Sequence, residues 1–600
     1  MNSASGQPIR TPPLTAAHFS LAAIGLMWTL PFLQPFHRVP LTSFYSEWLA
    51  LVLGLLALAL LAGKSFWRAA PLPVAALPLL GFAGVLGLQG AAGHVAYVGQ
   101  PLAAGLYILW AALLMALASF LRRELGLRGI VTVLAWFLAV GGAVGAVFAV
   151  LQHYQISDLP STLIAPKRFV HVYGNIAQYN HFASYSTLAL ASLAYLHAAG
   201  RLHWAGVAIA AVPLVFVIGL SGSRSALLFL GALLLLSVLY AWRRGTGGTR
   251  LAACIASIIV GFAVVLWLAS APWLASSGGT ETVSQRLAGD ETSDAALSVA
   301  FRVQLAREAW EMFLQAPLLG AGWGQFPSHD FAYRALHGLH IVTWPFNHAH
   351  NLVLHLLAET GLAGASLVVG AVLIWLWGLR RAVIDLQLWW LLSILGIIAV
   401  HSLLEHPLWF AYFLGIAAVA MGLGSEQNLA IRLARAGRPL SVGVLVTAVL
   451  YAASLLHGYR EFEPLFARGG ARPGSAEFTS ALARAHRDPL LRPYAELAIA
   501  SAFELDGDRT SEKLELNSRV MRFAPVAAVA YRQAVLLALA GEPGRAARQF
   551  ALAANVYPHE LPDQLRSLKE LAARHPSRMK PLLELATAKS AERSQSRDRK

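Results

Sequence analysis

The sequence predicts an all-α protein: a polytopic transmembrane helix bundle of about thirteen spans, followed by a soluble helical-repeat (TPR-like) domain. Three observations predict it. Charged residues make up 13% of the 600 residues and hydrophobic ones 57%. An ordinary globular domain carries about 25% charge, so lipid must solvate part of this surface. Apolar runs of about 20 residues, the length that crosses a hydrocarbon core as a helix, recur along most of the chain. The net charge of +15 is spread over the short segments between those runs, which marks topology and excludes a nucleic-acid-binding patch.

Taken in order, the N-terminal stretch MNSASGQPIRTPPLTAAHF lacks a cleavable signal pattern, so the first apolar run is expected to remain as a span. The expected spans are roughly 15–33, 43–63, 71–90, 100–121, 129–152, 181–199, 204–220, 224–242, 251–273, 350–379, 386–402, 407–424 and 439–457. The third and sixth are rich in Gly, Pro or Ser and carry the weakest signal. One set of connecting loops holds Lys64 and Arg68; Arg122, Arg123 and Arg128; Arg201; Arg243, Arg244 and Arg250; Arg380 and Arg381; Arg432, Arg435 and Arg438. The other set is nearly free of cations apart from Arg38, Lys167, Arg168 and Arg224. By the positive-inside rule the first set is cytoplasmic, which puts the N-terminus inside and the C-terminus outside. Cys254 is the single cysteine, so an intrachain disulfide and a Cys-based metal cluster are excluded. Within LAACIASIIV it reads as a small packed or lipid-facing residue.

Two stretches fall outside the membrane domain, 1–459. Residues 274–349 form a long outer loop that opens on SSGGTETVSQRLAGDETSD and holds a short helix over ALSVAFRVQLAREAWEMFLQ. Residues 460–585 read as amphipathic helices split by Pro and Gly, and 526–558 has the small-residue and aromatic spacing of a tetratricopeptide-type repeat. The last residues, 586–600, are expected to be a flexible basic tail.

The topology sorts the unusual polar residues onto the outer side. They fall in four segments: RFVHVYGNIAQYNHF, SGSRS, FNHAHN and HSLLEHP. Polar groups at membrane depth cost several kcal/mol unless paired or solvated, so such clusters at helix ends face a cavity or an aqueous recess. His348 and His350 stand where the outer loop enters a span. One reading makes either of them a general base; the other packs them with Trp344 and Phe346 in an interfacial aromatic belt. A zinc site of His348, His350 and His355 is disfavoured, because His350 and His355 are about 140° apart around a helix and no acidic partner has ligand spacing. Arg224 suits bidentate capture of a phosphate or snorkels at the interface. Arg302 is a candidate cation or a solvated helix face. After Lys167 and Arg168, the residues Gly174, Asn175, Gln178, Asn180 and His181 can bind a sugar or pyrophosphate, or satisfy one another in a structured turn. Glu405, between His401 and His406, orients a cation or histidine, or caps the span that starts at Pro407.

Taken together, GNIAQYNH, then SGSRSALL, then PLLGAGWGQF, then HAHNLVLHLLAETGLAG resemble the O-antigen ligase / O-antigen polymerase superfamily of bacterial glycosyltransferases. HSLLEHPLWFAYFLG and the helical C-terminal domain are similar to its protein O-oligosaccharyltransferase (PglL-type) branch. That resemblance implies an enzyme of the bacterial inner membrane working on the periplasmic face without metal, nucleotide or other cofactor. Its donor would be an undecaprenyl-pyrophosphate-linked glycan, its acceptor a periplasmic protein such as a pilin, and its surroundings membrane lipids with no nucleic acid. It makes His350 the essential histidine with His348 beside it, Arg224 the SGSR arginine, and Arg302 the second arginine. Lys167, Arg168, Asn175, Gln178, Asn180, His181 and Glu405 complete the expected substrate-binding set. Tyr179 departs from the family pattern, which often has Pro there. The rival expectations are ligation of the glycan onto a lipid A core, its polymerisation, and transport of lipid-linked sugars, for which polar sites belong at the bilayer midplane.

Overall fold

Each of the expected apolar intervals holds a helix in the computed structural model, which describes residues 14–61, 65–155, 160–168, 171–269, 294–337, 345–432, 435–467 and 474–598. Among the described residues, seven helices are long and apolar enough to cross a membrane: Ala16–Leu33, Gly99–Leu125, Leu127–His153, Ser225–Arg244, Gly248–Leu268, Leu352–Gly378 and Gly437–Phe466. Phe44–Ala59, Ala76–Ala91, Trp204–Leu220, Leu386–Ser402 and Ala411–Gly424 are shorter apolar helices in the remaining intervals. The chain is thus an integral membrane protein built mostly of helices.

The helix Tyr179–Ala198 fills the sixth interval, and its weak hydropathy has a structural cause. Every residue from Asn180 to Leu196 is buried, so its Ser, Thr, Tyr and His side chains meet protein instead of lipid. Thr187 and Ser192 donate their hydroxyls to the carbonyls of Ala183 and Leu188 at 2.8 and 2.9 Å, and Tyr185 donates to the carbonyl of Trp28 at 2.9 Å. Close packing comes from small residues: a Cβ at Gly142 on the helix Leu127–His153 would lie 2.3 Å from the Ala189 methyl.

A two-stranded antiparallel ribbon departs from the all-α expectation. Ala69–Pro73 pairs with Asn428–Arg432, Ala69 opposite Arg432 and Pro73 opposite Asn428. Residues 71–73, expected to begin the third span, belong to this strand, and the helix starts at Ala76. The ribbon joins two loops of the cation-rich set. On the same face Arg122 donates to the carbonyl of Leu423 at 2.9 Å and Arg244 Nε to that of Ile384 at 2.7 Å. The opposite face gathers the cation-poor loops: Arg38 pairs with Glu463 at 2.7 Å, and the His37 ring bonds the carbonyl of Asn175 at 2.7 Å. These contacts join cation-rich loops to one another and the cation-poor His37 and Asn175 segments to each other.

Among the described residues, the long loop holds two helices, the expected one over Asp294–Gln315 and an additional one over Phe326–His337. The loop's opening stretch through residue 293, Trp344, Lys64 and the first 13 residues lie outside the described residues. Beyond the bundle, Ala476–Arg487, Arg492–Ala502, Thr510–Phe523, Ala527–Leu539, Pro543–Val556, Leu561–Arg574 and Pro576–Asp598 form the C-terminal helical region. The helix Ala527–Leu539 packs on Pro543–Val556, with Tyr531 and Phe550 edge to face at 5.3 Å. Phe326–His337 docks onto this region, Phe331 stacking on Tyr557 and Ala335 accepting a bond from Asn555. The last helix runs to Asp598, through most of the stretch expected to be flexible. Its Ala, Glu, Lys and Arg content explains that continuation, since these are strong helix formers.

Candidate active site

At the end of the helix Leu386–Ser402 the chain makes one more turn, the Glu405 amide bonding the His401 carbonyl at 2.8 Å. Pro407 then opens a short 3-10 turn, Pro407–Trp409. Glu405 is thereby held at a helix end with its carboxylate 5% exposed, and four other stretches converge on it. Oε1 accepts from Asn180 Nδ2 at 2.9 Å and from Arg302 Nη2 at 3.3 Å. Oε2 faces His350 Nδ1 at 3.0 Å, His406 Nδ1 at 3.9 Å and His348 Nε2 at 4.0 Å. Ser223 donates to Asn180 Oδ1 at 2.6 Å, which brings the SGSR turn into the same network.

Burial alone would raise the Glu405 carboxyl, but the contact with His350 and the Arg302 guanidinium beside it outweigh that. They hold it at about 2, so it is an anion at any ordinary pH. The neighbouring rings go the other way. Burial, and then the charges of His406 and His350, keep His348 well below the usual histidine value. Burial and then His181 bring His406 down to about 3. The hub therefore combines one carboxylate, two neutral imidazoles, His350 and the Arg302 guanidinium.

His350 has φ +50°, a left-handed conformation that is uncommon outside glycine and accumulates at functional sites. The next residue in the chain holds it there. Asn351 caps the helix Leu352–Gly378, its side chain accepting from the Leu354 amide at 3.1 Å, and donates to the Leu403 carbonyl at 3.3 Å. Local sequence thus fixes the turn that aims His350 Nδ1 at Glu405. His348 is anchored from its other side, Nδ1 donating to Asn347 Oδ1 at 2.5 Å. The rings of His348 and His406 lie 3.5 Å apart between centroids.

Other parts of the recognised motifs hold the site instead of facing it. His355 pairs with Glu359 at 3.2 Å, away from the hub. The Glu359 carboxylate accepts from the amides of Gly324 and Phe326 at 2.8 and 2.9 Å, and so ties the PLLGAGWGQF loop to the AETGLAG segment. Glycines at positive φ make that joint close: at Gly320 (φ +71°) a Cβ would lie 2.2 Å from the Glu359 carbonyl carbon, and at Gly361 (φ +61°) 2.4 Å from the Leu318 carbonyl oxygen. Trp323 of the loop stacks on Trp409 at 5.3 Å.

The expected binding residues divide accordingly. Asn180, Arg302, His348, His350 and Glu405 come together. Arg224 follows Ser223 at the N-cap of the helix Ser225–Arg244 and is half-buried. His181 lies behind Asn180, its ring edge-on to His401, Phe410 and Phe413. Asn175 spends its amide on the fold: Nδ2 donates to the carbonyls of Leu33 and Leu163, and Oδ1 accepts from the Ala165 amide. Gln178 caps the helix Tyr179–Ala198 through the His181 amide. Lys167 and Arg168 belong to the same loop, where the Arg168 amide donates to the Tyr173 hydroxyl, which in turn donates to the Pro166 carbonyl. Phe346 lies 6.1 Å from the His350 ring, so an aromatic neighbour accompanies the polar contacts. Ser223, Asn347 and His406 were not singled out as site residues by the sequence; the signal for each was its place inside a quoted motif.

Beside the hub, Asn347, His355, Trp323 and Trp409 line one end of a mostly apolar cavity of about 970 Å³. It extends between the bundle, through Phe82 and Tyr107, and the C-terminal region, through Tyr494 and Phe523.

A buried carboxylate facing a histidine, with the Arg302 guanidinium beside it and an apolar cavity near by, is an arrangement that can support group transfer. Residues 209–369 match the family model of O-antigen ligases. Residues 389–571 match that of the C-terminal part of virulence-factor membrane-bound polymerases, and 172–197 that of protein glycosylation ligases. A general O-oligosaccharyltransferase from Acinetobacter baylyi is 27% identical over 425 residues, which is 68% of this chain and 70% of the relative. The chain is a glycosyltransferase, similar to the O-antigen ligase and polymerase superfamily and, within it, to the protein-glycosylating oligosaccharyltransferases.

Proposed function

We propose that the chain transfers an oligosaccharide en bloc from undecaprenyl pyrophosphate to Ser or Thr hydroxyls of periplasmic proteins, pilins among them. The observation that carries this reading is the Glu405–His350 contact at 3.0 Å with Arg302 on the other carboxylate oxygen. Glu405 Oε2, 3.0 Å from His350 Nδ1, is the acceptor that would keep the proton on Nδ1 and fix the tautomer, which leaves Nε2 with its lone pair free. The acceptor oxygen attacks the anomeric carbon and its proton passes to His350 Nε2. The bond from that carbon to the pyrophosphate oxygen breaks, and the electron pair leaves with the diphosphate. Arg302 and Arg224 stabilise the charge that develops there. Base and cations all come from side chains, so this step draws on no metal or nucleotide. Direct displacement of this kind inverts the anomeric centre.

In this reading residues 1–459 are the catalytic domain and lie in the bacterial inner membrane, N-terminus inside. The 460–585 domain and the hub face the periplasm, and the apolar cavity between them takes the prenyl chain or an apolar stretch of the acceptor. The helical-repeat character of 526–558 suits recognition of an acceptor protein. Ligation onto a lipid A core is the second reading, favoured by the match to O-antigen ligases over 209–369. One assay tests both: purified protein, the lipid-linked donor, and protein and lipid A core acceptors in competition. Glycan on Ser or Thr supports the proposal, and glycan on the lipid core alone overturns it in favour of ligation.

A further inference from the structure

The same hub has the makings of a metal site. Glu405 Oε2, His348 Nε2 and His406 Nδ1 lie within 4.8 Å of one another. His348 Nε2 and His406 Nδ1 are buried atoms with no hydrogen-bond partner. Their chemical state suits a ligand. Asn347 Oδ1 takes the Nδ1 proton of His348, so Nε2 carries the lone pair and points to Glu405, the arrangement in which an outer partner fixes a metal-binding imidazole. Oε2 stands 4.0 and 3.9 Å from the two nitrogens. Tetrahedral zinc with bonds of about 2.0–2.1 Å needs donor separations of about 3.4 Å, so each nitrogen closes on Oε2 by about half an ångström, and the two nitrogens, within 4.8 Å of each other, close by up to about 1.4 Å. His350 Nδ1 stands 3.0 Å from the same Oε2.

We propose that His348, His406 and Glu405 bind one zinc-class divalent ion, and that this ion inhibits the enzyme. Two imidazoles select zinc, cobalt or copper over magnesium and calcium, which prefer all-oxygen sites. The ion takes Oε2 from His350 and releases the tautomer that Glu405 holds; it also occupies the space beside Arg302 where an anionic donor would approach. Binding depends only on the geometry, whereas inhibition rests on the transfer reading above.

The test uses the full-length protein in detergent or nanodiscs. Cobalt titration should give the intense visible bands of a four- or five-coordinate site at one equivalent, displaced by zinc and untouched by excess magnesium. Only weak six-coordinate absorption, or no binding at millimolar cobalt, overturns the proposal even if every variant misfolds. Calorimetric zinc titration of His406→Ala and His348→Ala, each checked by its melting curve, should show affinity reduced by about tenfold or more. Unchanged affinity in both places the ion elsewhere and also overturns it. Zinc should lower the transfer rate of the parent, and His406→Ala should need more zinc for the same fractional loss against its own metal-free rate. Binding without inhibition removes the inhibitory half alone. A protein that binds zinc but transfers no glycan under any condition counts against the transfer reading and leaves the metal site standing.

Discussion

Replacing Glu405 by Gln keeps the shape of the hub and removes its charge, which makes it the sharpest probe of what the carboxylate does. Oε1 serves two donors, Asn180 Nδ2 and Arg302 Nη2, and Oε2 faces His350 Nδ1. An amide has one oxygen. It stays with the two donors, and its NH₂ then confronts His350. The imidazole answers by accepting at Nδ1, which moves its proton to Nε2 and leaves no base where the acceptor hydroxyl arrives. General base catalysis is worth about a hundredfold to ten-thousandfold, and in a protease triad the equivalent carboxylate-to-amide change costs about 10⁴ in kcat. Glu405→Gln should therefore lower kcat by about 10²–10⁴, with KM for the lipid-linked donor changed far less because Arg302 keeps its partner. The assay is steady-state transfer at saturating acceptor with the donor varied, alongside a melting curve showing a folded protein. Since Glu405 titrates at about 2, lowering the pH does not mimic the substitution. A variant that keeps the parental kcat would refute the orienting role.

Three other perturbations test separate features of the molecule. Gly361→Ala forces a Cβ to 2.4 Å from the Leu318 carbonyl at φ +61°, so it should destabilise the joint under the hub by about 1–3 kcal/mol, read as a lower melting temperature; an unchanged melt contradicts the close packing. In the outer loop, burial and then the charge of Asp330 hold the Glu308 carboxyl well above its ordinary value of 4.5, against the pull of Arg334. A carboxyl raised on folding stabilises the protein below its unfolded value, and that contribution is lost as pH rises through the folded one. Glu308→Gln should accordingly melt higher than the parent in mildly alkaline buffer, with the gap closing in mildly acidic buffer; a gap of opposite trend refutes the assignment. Reporter fusions after residues 245 and 470 should read cytoplasm and periplasm respectively, and the reverse pattern breaks the proposed orientation.

Helices were legible wherever a long apolar run sufficed, since the membrane asks for length and hydropathy before anything else. The ribbon was not, because its strands are five residues each, one carries Pro71 and Pro73, and they meet across most of the chain. Phe326–His337 was missed for a related reason: its buried face is completed by Tyr557 and Asn555, far along the sequence. At the hub, residue type and motif pointed to His348, His350, Arg302, Asn180 and Glu405. What the sequence withheld was which polar groups the fold consumes. Asn175 looks as fit for a sugar as Asn180, yet nearby backbone groups take both its donor and its acceptor atoms. His355 does have an acid one helical turn on, Glu359, but the PLLGAGWGQF loop takes that carboxylate, whereas Glu405, remote in sequence, stands beside His348 and His406.

The central claim is that His350 is the base of the transfer, and single-turnover transfer by His350→Ala tests it most directly. With donor bound and the protein folded in the membrane, glycan transfer should fall by about 10²–10⁴ while donor binding is retained. Transfer at the parental rate would contradict it.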